Sequence, residues 1–97
     1  MNTFHINILA TDKPFYTGPC ESLIVPTSQG KYGIMANHSN FIIATTPGEL
    51  FYRLPGEEMR DVAVSQGIVK IENNKVLMLV DWVECPEDID TIGQRVL

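Results

Sequence analysis

Turn-forming residues interrupt this chain about every 8–12 residues and leave only short apolar runs between them. Some of these runs alternate between apolar and polar residues, as Phe4–Ala10 does over its first five positions. Such alternation is typical of a strand with one buried face and one solvated face. The pattern predicts an all-β domain of about eight or nine short strands, arranged as an antiparallel sandwich or barrel.

Proline, glycine and asparagine give local predictions about where the strands stop. We expect Pro14 to end pairing after the first strand, and residues 18–19 to bend the chain before a strand at 20–25. Residues 47–48 predict a type II turn, because glycine tolerates a positive φ there. Asn73-Asn74 predicts a type I′ hairpin turn, because asparagine tolerates the left-handed region.

The segment Ile24–His38 is the most specific stretch of the sequence. It joins a buried strand to a turn at 26–30, and it ends in a polar Asn37-His38 corner. Gly30 and Gly33 lie three residues apart, which predicts a tight and specific backbone path. This stretch distinguishes the chain from other small β domains.

Length and charge exclude several classes of function. The 97 residues suit one domain, and the net charge of −5 argues against nucleic-acid binding and against direct docking on anionic lipid. The longest apolar run, Val76–Val80, is too short to span a bilayer, and the N-terminus has no signal-peptide pattern. Cys20 and Cys85 lack metal-ligand spacing, and a disulfide between them stays open. We expect a reduced, cytosolic, soluble domain without metal or cofactor.

The last residues differ in character from the rest. Pro86 and the acids that follow it suit a helix N-terminus, and Ile89, Ile92 and Val96 would form one apolar stripe. Gly93 weakens such a helix. We therefore divide the chain into a β-sandwich domain at 1–84 and, at 85–97, a linker with the start of a truncated helical segment.

Two functional alternatives can be drawn from the residues alone. An enzyme would need a pocket that joins Cys20 or Cys85 to His38. No third group that would orient a pair of Cys20 and His38 can be identified in the sequence. A stand-alone binding module for a peptide or a carbohydrate would need an exposed aromatic platform on one face. The candidates for that platform are Tyr16, Tyr32, Tyr52 and Trp82.

A series of segments resembles the N-terminal domain of the epsilon subunit of the rotary ATP synthase, called delta in mitochondria. These segments occur in the family's order and at its spacing along nearly the whole chain. They are Phe4–Ile8, Phe15–Gly18, Val25–Thr27, Gly30, Gly33-Ile34, Asn37-His38, Pro47–Leu50, Val64–Gly67, Asn73–Val76, Leu79–Asp81 and Glu87–Asp90.

The resemblance implies a flattened antiparallel β-sandwich of about ten strands with a short C-terminal helical stub. It implies a non-catalytic rotor subunit in the central stalk, which binds the gamma subunit and the membrane rotor ring and couples ion flow to ATP synthesis. The subunit would be peripheral, on the cytoplasmic face of the inner (plasma) membrane, without lipid insertion. Residues that match the ring-facing loop are Gly30, Lys31 and Tyr32, and those that match the gamma-facing surface are Asn37, His38 and Phe41.

The sequence departs from the family pattern in two places. Family members commonly carry acids around the first glycine of the ring-facing loop, whereas this chain has Gln29 and Lys31, so a basic ring loop would need a compensating sequence. The family's ATP-binding pattern, Ile/Leu-Asp-x-x-Arg-Ala, would end on Gly93 and Gln94. We therefore expect neither ATP binding nor inhibition by a helical hairpin, most of which would lie beyond Leu97.

Overall fold

The computed structural model describes residues 2–11 and 13–84. These residues form ten strands in two five-stranded sheets, which confirms the predicted all-β sandwich. The strands are β1 (Phe4–Ala10), β2 (Lys13–Cys20), β3 (Ser22–Thr27), β4 (Gly30–Met35), β5 (Phe41–Thr45), β6 (Gly48–Arg53), β7 (Met59–Val64), β8 (Gly67–Glu72), β9 (Lys75–Val80) and β10 (Val83–Glu84). The helical stub predicted within 85–97 lies outside the described residues.

Sheet I has the order β2-β1-β9-β8-β5, and sheet II has the order β10-β7-β6-β3-β4. Seven of the eight strand pairs are antiparallel, as expected. The exception is β1 with β9, which run parallel from the pair His5↔Lys75 to the pair Ala10↔Val80. Local turn signals report hairpins, whereas this pair joins the two ends of the domain, so the sequence pattern did not reveal it.

Strand β2 corrects two of the predicted strand limits. Pro14 does not end pairing, and residues 18–19 do not bend the chain out of the sheet, because β2 pairs with β1 along its whole length. β2 is an edge strand, where a missing N–H costs no ladder bond if it faces outward. A register shift at Ile8/Leu9, where Phe15 is the extra residue, absorbs the irregularity as a β-bulge.

The remaining turns follow local chemistry more closely. Asn73 and Asn74 have φ values of 51° and 61°, which agrees with the predicted type I′ turn. Gly48 has no positive φ and begins β6, so the type II prediction at 47–48 is wrong. The positive φ occurs instead at Gly56, at 73°, where the Glu57 amide donates to the Leu54 carbonyl at 3.0 Å.

The core lies between the two sheets and draws on alternate residues of β1, β3, β6, β7, β8 and β9, whereas Cys20 is the one buried residue of β2. Each fully buried Leu, Ile or Met contributes about 1.5–3 kcal/mol by leaving water. Within β5 only Ile43 and Thr45 are buried, because one face of the strand is turned to the core and the other is solvated. The largest fully buried side chains are Ile6, Ile8, Leu23, Ile34, Leu50, Ile71 and Met78.

Candidate interaction surfaces

A cluster of three side chains closes the sandwich where the chain passes from β4 in sheet II to β5 in sheet I. The Tyr32 hydroxyl lies 2.8 Å from Nε2 of His38, and the two ring centroids are 5.7 Å apart. The ring of Phe41 stacks on Tyr32, with centroids 6.1 Å apart and planes inclined by 30°. We call Tyr32, His38 and Phe41 the corner cluster. Phe41 is 51% exposed, so the cluster presents an aromatic surface to solvent.

The hydrogen bonds of His38 define its tautomer. Nδ1 lies 2.7 Å from the Ser39 carbonyl oxygen, which can only accept, so Nδ1 carries the proton. In the neutral imidazole Nε2 then accepts the hydrogen bond that the Tyr32 hydroxyl donates. Both ring nitrogens are therefore used to hold the corner.

The three residues that were predicted to face the rotor ring do not lie on one surface. Successive residues of a strand point to opposite faces, so Lys31 and Tyr32 diverge. The Lys31 ammonium lies 4.5 Å from the ring centroid of Phe51 on the outer face of sheet II. Tyr32 points inward and joins His38 and Phe41, which were predicted to face gamma. Gly30 begins β4 at the opposite end of the strand from the corner.

The two glycines of this segment have different roles. Gly30 has a φ of 110°, a value that favours glycine, and its carbonyl accepts a hydrogen bond from the Thr27 hydroxyl at 2.5 Å. Gly33 has no positive φ, and a Cβ placed there would meet nothing within 4 Å. The predicted demand for a tight backbone therefore holds at Gly30 and is wrong at Gly33.

An exposed apolar row, which was not predicted from the sequence, crosses the outer face of sheet I. Strand register places Leu9 beside Leu79, Leu79 beside Ile68 and Ile68 beside Ala44. Ile68 and Leu79 are 51% and 46% exposed. We call Leu9, Leu79, Ile68 and Ala44 the apolar row, and Ile42, at 65% exposure, extends it along the edge strand β5.

One sequence signal could have revealed part of this row. The run Val76–Val80 is apolar at every position, whereas a strand with a solvated outer face alternates. Such a run in an antiparallel-rich sheet indicates that the outer face of the strand is apolar as well as the inner face. The position of Ile68 and Ala44 beside Leu79 depends on long-range register, which the sequence does not display.

The residues that an enzyme or a stand-alone binding module would need do not lie together. Tyr52 is buried, and the half-buried Tyr16 stacks against it with ring centroids 6.5 Å apart, so Tyr52 and Tyr16 do not form an exposed platform with Trp82. The Cys20 sulfur is buried 3.1 Å from the Ser22 carbonyl oxygen, whereas the His38 ring contacts Tyr32 and Ser39. Cys85 lies outside the described residues.

The described ranges 2–11 and 13–84 contain no group of three or more His, Cys, Asp or Glu side chains placed to hold a metal ion. Nor do these ranges contain a helix long and apolar enough to cross a membrane.

These features define a ten-stranded β-sandwich with an aromatic corner and an apolar row on the outer face of sheet I. The family described as ATP synthase, Delta/Epsilon chain, beta-sandwich domain matches residues 3–86, and the chain belongs to this family.

Its curated relatives carry a consistent description. The ATP synthase epsilon chain of Ruminiclostridium cellulolyticum is 36% identical over 90 residues, which cover 93% of this chain and 66% of the relative. That of Caldicellulosiruptor bescii is 33% identical, with 93% and 65% covered. The chain therefore spans slightly less than two thirds of the length of these relatives. The chloroplastic epsilon chain of Tetradesmus obliquus is 34% identical, with 91% and 64% covered.

Solved structures share the fold. A chain of the Euglena gracilis mitochondrial ATP synthase, solved as an OSCP/F1/c-ring assembly, superposes with a TM-score of 0.87 at 17% identity and covers 99% of this chain and 61% of its own. A chain from the central stalk and c-ring of the Tetrahymena thermophila enzyme gives a TM-score of 0.76 at 15% identity, with 88% and 68% covered. At these identities the likeness concerns the fold.

Proposed function

We propose that this chain is a non-catalytic rotor subunit in the central stalk of an ATP synthase. In this role it binds the gamma subunit and the membrane rotor ring, so that ion flow and ATP synthesis are coupled through one rotating body. The observation that carries the proposal is the family match over residues 3–86, together with relatives that are named ATP synthase epsilon chains. The subunit is peripheral, on the cytoplasmic face of the inner (plasma) membrane.

The surface of sheet I supports a broad protein interface. A joint that transmits torque needs a contact of standard size, about 1,600 Å² in total, with an apolar centre. The apolar row supplies such a centre, and β5 connects it to the corner through Ile42 and Phe41. We assign the gamma-facing surface to Asn37, His38 and Phe41 together with this row.

The ring-facing contact is assigned to the end of the sandwich that holds Gly30 and Lys31. The positive φ of Gly30 shapes the turn between β3 and β4, and Lys31 extends over Phe51 beside it. A lysine here favours an acidic or neutral ring loop. Tyr32 follows Lys31 in β4, so its backbone lies next to this contact, while its side chain belongs to the corner cluster.

Binding to purified gamma subunit tests the proposal. Gel filtration of the two proteins at micromolar concentration should give one complex, and calorimetry should give its affinity. Replacing an apolar-row residue by an acid, Ile68→Asp, should weaken binding at least about tenfold, because a charge would be buried unpaired. Met35→Asp is the matched control, since Met35 is 65% exposed on the outer face of sheet II. Separate elution of the unmodified proteins would contradict the proposed function.

A further inference from the structure

Asparagine side chains tie the β4–β5 corner to the β8–β9 hairpin. The Asn74 Oδ1 atom accepts a hydrogen bond from the Asn37 backbone amide at 2.7 Å. In the opposite direction, the Asn40 Oδ1 atom accepts one from the Asn73 backbone amide at 3.0 Å. Two loops that are more than 30 residues apart in the chain therefore hold each other through side-chain amides.

Asn74 also connects this junction to the start of β1. Its Nδ2 atom donates to the Thr3 carbonyl oxygen at 3.0 Å, and its backbone carbonyl accepts from the His5 amide at 3.2 Å. One side chain thus links the corner, the hairpin and the segment before the first strand. We call Asn40 and Asn74, with these bonds, the asparagine latch.

Two demands together explain why asparagine stands at position 74. Its φ of 61° lies in the left-handed region, which glycine and asparagine tolerate and most residues avoid. The side chain must also supply both an acceptor for Asn37 and a donor for Thr3. Glycine meets only the first demand, and aspartate would lack the donor.

The latch acts on the backbone that carries the corner cluster. Residues 36–40 form no strand, so they lack the ladder bonds that hold β4 and β5. Asn37, which has a φ of 64°, directly precedes His38, and Asn40 directly precedes Phe41. The latch therefore holds the chain on both sides of the segment from which His38 reaches Tyr32.

We propose that Asn74 and Asn40 are positioning residues that order the β4–β5 corner before a partner binds. A loop that is already ordered loses less conformational entropy on association, so its affinity is higher. The identity of the partner, the gamma subunit, rests on the proposed function. The ordering itself is a property of the isolated chain and does not depend on that function.

The test compares Asn74→Gly with Asn73→Gly. Glycine accepts the φ values of both positions, but only Asn74→Gly removes side-chain bonds to other loops. Asn73 uses its backbone amide in the latch, and that amide remains in Asn73→Gly. We expect amide hydrogen exchange at Asn37, followed by NMR, to be at least about tenfold faster in Asn74→Gly and unchanged in Asn73→Gly.

Binding and rescue complete the experiment. Affinity for gamma should fall about tenfold in Asn74→Gly relative to Asn73→Gly. Asn74→Asp keeps the Oδ1 acceptor for Asn37 but loses the donor to Thr3, so it should restore slow exchange at Asn37 in part, to a rate between those of Asn74→Gly and the unmodified chain. Asn40→Ala, at an exposed position, should speed exchange at Asn73 and weaken gamma binding in the same way.

These results distinguish failure of the latch from failure of the proposed function. Unchanged hydrogen exchange at Asn37 in Asn74→Gly would overturn the latch, whether or not the chain binds gamma. Faster exchange with an affinity equal to that of Asn73→Gly would overturn its positioning role. Failure of the unmodified chain to bind gamma would instead contradict the proposed function, and the exchange rates would still decide whether the latch orders the corner.

Discussion

Tyr32 of β4 and His38 of the loop between β4 and β5 are joined by a hydrogen bond of 2.8 Å between the phenolic oxygen and Nε2. Tyr32→Phe deletes this bond but keeps the ring that stacks on Phe41. We expect it to lower the free energy of unfolding by about 1 kcal/mol, the usual net value of one hydrogen bond. Urea denaturation at pH 7 measures the change.

A double-mutant cycle with His38→Ala shows whether the loss belongs to this pair. The coupling energy should be about 0.5–1.5 kcal/mol, because either single change removes the same bond. Additive losses, within about 0.3 kcal/mol, would show that the two side chains do not stabilise each other.

The corner cluster should matter more for assembly than for folding. His38 and Tyr32 are only half-buried, so neither His38→Ala nor Tyr32→Ala should unfold the domain. Each should reduce co-elution with gamma on gel filtration, because each removes part of the aromatic surface. Circular dichroism of each variant supplies the folding control. Unchanged co-elution with both substitutions would remove the corner from the proposed interface.

Among the glycines of the described strands and turns, Gly67 has the least room for a side chain. A Cβ there would lie 2.0 Å from the Leu79 carbonyl oxygen and 2.6 Å from the Val80 Cγ1 atom, so β8 and β9 would have to separate. Gly67→Ala should cost about 3 kcal/mol or more in unfolding free energy. Gly33→Ala is the matched control and should change stability by no more than about 1 kcal/mol. Similar midpoints for the two variants would refute this assignment.

The sequence predicted correctly those strands and turns whose conformation depends on a few neighbouring residues. Alternation in Phe4–Ala10 predicted β1, and the conformational tolerance of asparagine predicted the turn at 73–74. Proline was misleading at position 14, because its effect depends on whether its strand is central or at an edge. Edge position is decided by the whole sheet, and no local window contains it.

The surfaces were harder to predict than the strands. The resemblance predicted His38 and Phe41 for one surface and Tyr32 and Lys31 for another, whereas the structure places the Tyr32 ring against His38 and Phe41 and the Lys31 ammonium over Phe51. The apolar row and the asparagine latch both combine residues from distant strands or loops. Their sequence positions carry no periodicity, so they become visible only when the register of sheet I is known.

The buried thiol of Cys20 should make stability depend on pH in the alkaline range. Burial is the main cause that raises the pKa of Cys20 above its ordinary value of 9.0. As the pH rises, the unfolded chain loses this proton first, so the folded state binds more protons and the free energy of unfolding falls. The stabilisation is complete below the ordinary pKa and is lost as the pH rises through the folded value. The loss can reach about 1.4 kcal/mol per pH unit.

Cys20→Ala tests this assignment through thermal melts between about pH 8 and pH 10. The variant lacks the ionising group, so its melting temperature should fall less steeply with pH than that of the unmodified chain. Burial also raises the pKa of Tyr16, and that contribution persists in the variant at higher pH. Parallel pH profiles for the two proteins would mean that Cys20 is not responsible for the alkaline loss.

Ser65 should be essential for the passage of the chain from sheet I to sheet II. It is buried, and its hydroxyl oxygen accepts hydrogen bonds from the backbone amides of Asp81 at 2.7 Å and Trp82 at 3.1 Å. Ser65→Ala would leave two amides without this acceptor where β9 leads into β10. We expect a loss of about 1–2 kcal/mol in unfolding free energy, because each of the two partly buried hydrogen bonds contributes about 0.5–1.5 kcal/mol.

Urea denaturation followed by Trp82 fluorescence measures both stability and the local change, because Trp82 lies in the passage itself. Ser39→Ala is the matched control, since Ser39 is exposed and bonds His38 through its backbone carbonyl. The control should keep the native fluorescence and lose less than about 0.5 kcal/mol. If Ser65→Ala matched the control in both respects, the two amides would have to find other partners, and the hydroxyl of Ser65 would not be what holds the passage.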